Sequence, residues 1–568
     1  MTVHPANLKN TFMSRLPKLK LETAVALAGT AFAALLLVLT AMYAGPLWRD
    51  EINTLSVAQM PSLKELWDNM AFESFPPLWP LLVRGCSFLG LAGSDASIRV
   101  LGLYVGLFFL VSLWLCSRWL GGRAPILSVA LLGCLPAFVF IVGANRAYGL
   151  ATCLLVLSFG LIWRMVEFPS RSRILLAGLV CFLFAHCVYY DVVFLCAMLS
   201  GGALVVIRRR QWKTLMALAV IGSVSAASMA IYLPIIHQGS AYVPMNQPPF
   251  FSASMLWFKV SQAVSTHSSA SFGKSRGTEI WLWIGLFLAG SIAALIMQRA
   301  RVHTSHGPET ATVTAVQIRA DRALFCVVTM LFGVFGFFAF LLKLHYLTQT
   351  WYYVEILCLC AISLDGLLGA NWPKLRPWGL LRISFLLLVM TWGARSAWEE
   401  AHTRRSDVDL IAAVLNKAAS EQDIIVVEGA WEGITFNRYY HGHTRWMTVP
   451  PVDSHLVHRN DLAFARMNQP EPMVPVLQAI TNTLHSGHNV WLVGMVGSKS
   501  AVHLDPPLSG RPIEWFVAYS TYWNAQIAAV LLDHTRQAEV LKIPIDGPVF
   551  SLEDLPLTRF SGYKPGVY

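Results

Sequence analysis

Apolar runs long enough to cross a bilayer recur through residues 1–397, and they leave this chain few choices of fold. Runs of roughly 17 to 25 residues fall at 22–44, 98–118, 124–142, 147–167, 174–190, 191–207, 214–235, 280–298, 323–345, 350–370 and 379–397. In lipid such a segment satisfies its own backbone only as a helix, because hydrocarbon offers no partner to a free N–H or C=O. The expectation is an α-helical polytopic membrane protein with about 11 transmembrane helices. Composition agrees: 55% of the 568 residues are hydrophobic, 13% are charged, and the mean hydropathy of +0.53 lies above that of soluble globular chains. The net charge of +11 comes from Lys and Arg scattered at the ends of apolar runs, with no basic domain, so no nucleic-acid partner is expected.

Charge sets the expected topology. Lys9 to Lys20, Arg118 with Arg123, Arg164 with Arg171 and Arg173, Arg208 to Lys213, Arg299 to Arg322, and Lys374 to Arg382 alternate with poorer loops and mark the cytoplasmic side. The first run then reads as an uncleaved signal anchor. Residues 76–92 are apolar too, but counting them as a crossing would put Arg118, Arg171 and Arg173 outside. Leu78, Leu81, Leu82 and Leu89 share one helical face while Arg84 points elsewhere, which predicts an amphipathic helix in the outer interface. The first outer loop is expected over 45–97 within a membrane domain of 1–397. From Trp398 the composition becomes that of a soluble unit, with 423–428 and 489–494 reading as short buried strands. A C-terminal extracytoplasmic α/β domain, 398–568, is expected.

The ten cysteines all lie before Trp398, with no disulfide framework and no zinc spacing. There is no phosphate-binding GxxxxGK loop, no GxGxxG after a strand and no HExxH. Asp407-Val408-Asp409 and His441-Gly442-His443 are short enough to arise by chance, and both read as ordinary surface or structural residues. What carries chemistry is a set on the outer side: Asp50 and Glu51 directly after the first run, Glu73 ahead of Pro76-Pro77, Arg99, then Asn145-Arg146-Ala147-Tyr148, then His186 with Tyr189, Tyr190 and Asp191. Acids this close to hydrocarbon are costly, so each is a functional candidate.

In this order and on this topology the sequence resembles the GT-C glycosyltransferases, in particular the branch of dolichyl-phosphate-mannose protein mannosyltransferases and lipid A aminoarabinose transferases. About the first 200 residues carry the resemblance by motif, and the rest by architecture. It implies a GT-C-like fold and an inverting transfer of a hexose or pentose from a polyprenyl-phosphate carrier to a hydroxyl on a glycan, lipid or protein acceptor. Asp50 is then the catalytic base, Glu51 and Glu73 bind acceptor or metal, and Arg99 and Arg146 lie near the lipid phosphate. Asp50 and Glu51 are the positions for a divalent cation, Mg or Mn, the only cofactor implied. Phe75 departs from the pattern, since many relatives carry His before the two prolines.

Chemistry supports the same roles. A hydroxyl attacking an anomeric carbon needs a carboxylate to take its proton late in the transition state, and a leaving phosphate is best met by fixed cations in a water-poor cavity. Arg99 and Arg146 suit that task, with Lys343 and His345 as later reinforcement, while Tyr148, His186, Tyr189 and Tyr190 would line the cavity. Membrane lipids surround the whole, and a cysteine-free outer domain favours the inner membrane of a bacterium. A lipid or sugar transporter or flippase is the competing reading, and an oligosaccharide ligase a third.

Overall fold

Nine helices among the described residues are long and apolar enough to cross a membrane: Leu21–Tyr43, Asp95–Trp119, Ala147–Glu167, Asp191–Arg208, Trp212–Ser240, Ile280–Arg299, Ala315–Leu344, Thr350–Gly369 and Pro377–Ala401. The computed structural model describes residues 21–122, 124–242, 245, 251–274, 277–304, 311–345, 348–369, 376–499 and 516–565. The basic segment before Leu21, Arg123, Tyr346, Lys374 and Trp515 fall outside them.

Two segments expected to cross are not single long helices. Residues 124–142 form two seven-residue helices, Ile126–Leu132 and Pro136–Val142. Pro136 has no N–H to continue the first helix and holds Leu135 extended. Every residue of both short helices is buried, so the break lies inside the bundle, where the freed backbone groups find partners. At the break the Leu135 amide donates to the Leu132 carbonyl (3.2 Å); at the far ends of the pair Asp365 accepts from the amides of Leu127 (2.9 Å) and Ser128 (3.0 Å), and Arg405 Nη2 donates to the Phe140 carbonyl at 2.8 Å. The other segment, 174–190, is a 15-residue helix, Arg171–Ala185, that stops at His186 before a new helix begins at Asp191. Residues 76–92 contain only the 11-residue helix Leu78–Phe88, too short to cross. Its Arg84 turns back to the carbonyls of Ala58, Met60 and Pro61.

All the strands described follow the last apolar helix. β1 (Ile424–Glu428), β2 (Arg445–Val449), β3 (Val490–Val493), β4 (Thr535–Leu541) and β5 (Leu557–Tyr563) form one sheet in the order β2-β1-β3-β5-β4. The first three are parallel; β5 and β4 run antiparallel. β1 is apolar on both faces because both are covered. Ile424 and Val426 pack with helices Val474–His485 and Phe516–His534, whereas Ile425 and Val427 pack with Val408–Ala418 and Glu432–Tyr439. Trp491 and Trp523 are core residues of this unit.

This α/β unit is fastened to the membrane bundle at several points. Arg49 pairs with Glu432, and Arg438 and Tyr439 both reach Asp95. Buried Arg405 bonds Glu400 at 2.9 Å and lies over the Phe140 ring at 3.9 Å. Phe550 packs among Trp48, Phe140 and Trp351.

Candidate active site

The helix Arg49–Ala58 begins where the first apolar helix has ended, and it presents Asp50 and Glu51 in its first turn, the end at which a carboxylate is favoured by the helix dipole. The two acids part company there. Glu51 is fully buried: Oε1 accepts from Arg99 Nη1 (2.6 Å) and the Asn145 amide (2.8 Å), and Oε2 accepts from the Trp48 amide (3.4 Å). Arg99 also donates to the Pro46 carbonyl at 2.8 Å. Asp50, by contrast, keeps a side chain 19% exposed.

Glu73 is brought beside them by the turn before Pro76. Its Oε2 accepts from Asn53 Nδ2 and Thr54 Oγ1, both at 3.0 Å, and its Oε1 from Arg146 Nη1 at 2.8 Å. Arg146, at the N-terminus of helix Ala147–Glu167, is shared among several acceptors: Thr54 Oγ1 (2.9 Å), the Asp50 carbonyl (3.0 Å) and Ser74 Oγ (2.9 Å), with Asp50 Oδ2 at 3.8 Å. Its guanidinium lies over the Phe75 ring, 4.6 Å from the centroid, so the aromatic at this position backs the arginine.

On the exposed side of Asp50 stands a residue for which the sequence held no signal. His458, in the loop after β2, places Nε2 3.2 Å from Asp50 Oδ1. Its backbone amide donates to Asn53 Oδ1 at 2.7 Å. Burial alone would raise the Asp50 carboxyl; Arg146, the His458 hydrogen bond and Arg49 outweigh it and bring the group down to about 2, so Asp50 is ionised at any ordinary pH.

The other expected residues divide. Tyr148 is buried, near Phe75 and Tyr352, and Tyr190 donates to the Tyr352 carbonyl and to Glu355 at 3.4 Å each. His186 faces away, its ring nitrogens bonded to Tyr232 Oη (2.6 Å) and Ser228 Oγ (3.1 Å). Tyr189 stacks edge-on against the same Tyr232. Lys343 and His345 are exposed and make no contact described with the acids. They precede Trp351 and Tyr352, which touch Trp48 and Tyr148, and so belong to the same end of the bundle.

A divalent cation shared by Asp50 and Glu51 does not fit this arrangement. Both oxygens of Glu51 are taken by Arg99, Asn145 and Trp48, those of Glu73 by Arg146, Asn53 and Thr54, and only Asp50 keeps an open edge. Among the described residues no three His, Cys, Asp or Glu side chains stand together as a metal site would require. The two short motifs are likewise structural: Asp407 accepts from the Leu555 amide and Asp409 pairs with Arg404, while His441 and His443 are exposed.

Fold and site together define an integral, multi-pass membrane protein, mostly helical, with an acid–arginine cluster capped by a five-stranded α/β unit. No protein-family model and no curated protein matches the sequence. Among solved structures it is similar to the Archaeoglobus fulgidus oligosaccharyltransferase in complex with Zn and sulfate (10% identity, 83% of this chain and 68% of that one, TM-score 0.43). The same oligosaccharyltransferase tethered to an acceptor peptide containing the NVT sequon is similar at 9% identity (95% and 74%, TM-score 0.43). ArnT from Cupriavidus metallidurans bound to undecaprenyl phosphate is similar at 14% identity (85% and 96%, TM-score 0.34). These neighbours are GT-C superfamily glycosyltransferases.

Proposed function

We propose that this protein transfers a sugar, hexose or pentose, from a polyprenyl-phosphate-linked donor to an acceptor hydroxyl at the outer face of a bacterial inner membrane, with inversion at the anomeric carbon. The observation that carries the reading is a partly exposed, ionised Asp50 held between Arg146 and His458 at the mouth of an apolar bundle. The acceptor oxygen forms the new bond to the anomeric carbon as the bond from that carbon to the phosphate oxygen breaks. The polyprenyl phosphate leaves with the electron pair, and the hydroxyl proton passes to Asp50. An acid held near 2 is a weak base, so the proton moves late, after most of the C–O bond has formed.

Glu51 and Glu73 are enclosed and act through others: Glu51 fixes Arg99 and Asn145, and Glu73 fixes Arg146 beside Asp50. Arg99 and Arg146 accordingly serve as the frame of the acids, with Arg146 the nearer to the reacting groups. Lys343 and His345, exposed at the same end of the bundle, are the proposed phosphate-side charges. The topology proposed has eleven crossings, the broken segment 124–142 and the helix Arg171–Ala185 included, with 1–397 as membrane domain and 398–568 outside.

The test uses purified protein in vesicles with undecaprenyl-phosphate-linked hexose or pentose. Acceptor-dependent release of undecaprenyl phosphate is expected in the parent and not in Asp50→Asn. Translocation of the intact lipid without release would overturn the transferase in favour of a flippase.

A further inference from the structure

We propose that His458 is a positioning residue for Asp50, so that the membrane domain's acid is completed only by the C-terminal α/β unit; this rests on the glycosyl-transfer reading above. The contacts close a ring. The His458 amide donates to Asn53 Oδ1 (2.7 Å), Asn53 Nδ2 to Glu73 Oε2 (3.0 Å), and Arg146 Nη1 to Glu73 Oε1 (2.8 Å). Arg146 Nη2 lies 3.8 Å from Asp50 Oδ2, and His458 Nε2 returns to Asp50 Oδ1 at 3.2 Å.

Without the imidazole, the Asp50 carboxylate is held by one long ion pair and can turn about its side-chain bonds. Because Asp50 is ionised, Nε2 is the donor, and its hydrogen bond fixes the plane of the carboxylate and hence the edge open to an acceptor hydroxyl. The loop that carries it is held in place: Val457 is buried with Val57, Met60 and Leu66, and Asn460 accepts from Trp431 Nε1 at 3.1 Å. Docking of the α/β unit does not depend on this side chain, since Arg49–Glu432, Arg438–Asp95, Arg405–Phe140 and Phe550 fasten it elsewhere. The His458 side chain, 16% exposed, and the Asp50 side chain, 19% exposed, leave an open edge of the carboxylate beside the imidazole.

The test compares full-length parent, His458→Phe, His458→Gln, Asp50→Asn and the Asp50→Asn/His458→Phe double variant in vesicles, with undecaprenyl-phosphate-linked hexose or pentose as probe. His458→Phe should lower turnover by about 10- to 100-fold with KM changed by no more than about 2-fold, the size expected of a misaligned catalytic group. His458→Gln, whose amide N–H can stand in for Nε2, should recover to within about 5-fold of the parent. A glutamine variant as impaired as the phenylalanine variant would overturn the positioning role. Thermal unfolding of parent, His458→Phe, Asp50→Asn and the double variant reads the contact without turnover: non-additive midpoint shifts support it and additive shifts overturn it. A parent that transfers no sugar from either probe overturns the glycosyl-transfer reading alone, and the unfolding cycle still decides the contact.

Discussion

Gly102 lies so close to Gly143 that a Cβ on Gly102 would stand 1.9 Å from the Gly143 carbonyl oxygen. Gly102 is about one turn beyond Arg99 on its helix, and Gly143 immediately precedes the segment that bears Asn145 and Arg146. This crossing allows Arg99 and the Asn145 amide to reach the same oxygen of Glu51, at 2.6 and 2.8 Å. Small residues permit such backbone approaches between membrane helices.

Gly102→Ala should therefore separate the two carriers and destabilise the protein by about 1–3 kcal/mol, the usual cost of overpacking. Gly143→Ala is the control. Its Cβ would meet the Gly102 carbonyl oxygen at an ordinary 3.8 Å, and its φ of −96° suits any residue. Thermal unfolding in detergent should show a lowered midpoint for the first variant and little change for the second.

Glu51→Gln should act on stability, not specifically on turnover. It leaves the buried Arg99 guanidinium without a counter-charge, a change worth about 3–5 kcal/mol where a buried pair is broken from one side. Asp50→Asn, at a partly exposed position, should lower the unfolding midpoint less than Glu51→Gln does and abolish transfer. Measuring both midpoint and turnover for each variant separates the roles of adjacent carboxylates.

Arg146→Lys should impair transfer by about 1–3 kcal/mol of transition-state stabilisation, the scale of one charge-assisted hydrogen bond. One ammonium cannot serve Glu73, Thr54, Ser74 and the Asp50 carbonyl together. The loss should fall on kcat; a change confined to KM would mean that Arg146 holds substrate instead of the acids.

Stability should fall as the solution turns alkaline. Burial pushes Asp407 and Glu428 up to about 7 and Glu553 up to about 8, against the weaker opposing pull of hydrogen bonds and, for Glu553, of Arg49. An acid whose folded pKa is raised binds more protons folded than unfolded, so its contribution is complete below the unfolded value and is lost as pH rises through the folded one. The midpoint of thermal unfolding should drop between about pH 4 and 8, from the ordinary carboxylate values up to the shifted ones. Glu553→Gln should flatten the upper part of that decline.

The sequence by itself determined the environment of each segment. Hydropathy is a local sum, so the runs that became apolar helices, the short helix at Leu78–Phe88 and the doubly covered β1 were all legible, as was the placing of Asp50 just past the first helix. Even the break in 124–142 had its cause written in Pro136, although the length of the apolar run concealed it. Only the tertiary structure decided what each charged group does. The fate of a carboxylate depends on partners far along the chain: Glu51 is closed off by Arg99 and Asn145, Glu73 by Arg146, and Asp50 is met by His458 from beyond the last apolar helix. Hydrogen bonds form between groups a few ångströms apart whatever their separation in sequence. Asp50 and Glu51, identical in prospect as neighbours in the chain, therefore differ in the fold, because the step of about 100° between adjacent helical residues aims the first at an open edge and the second into the bundle.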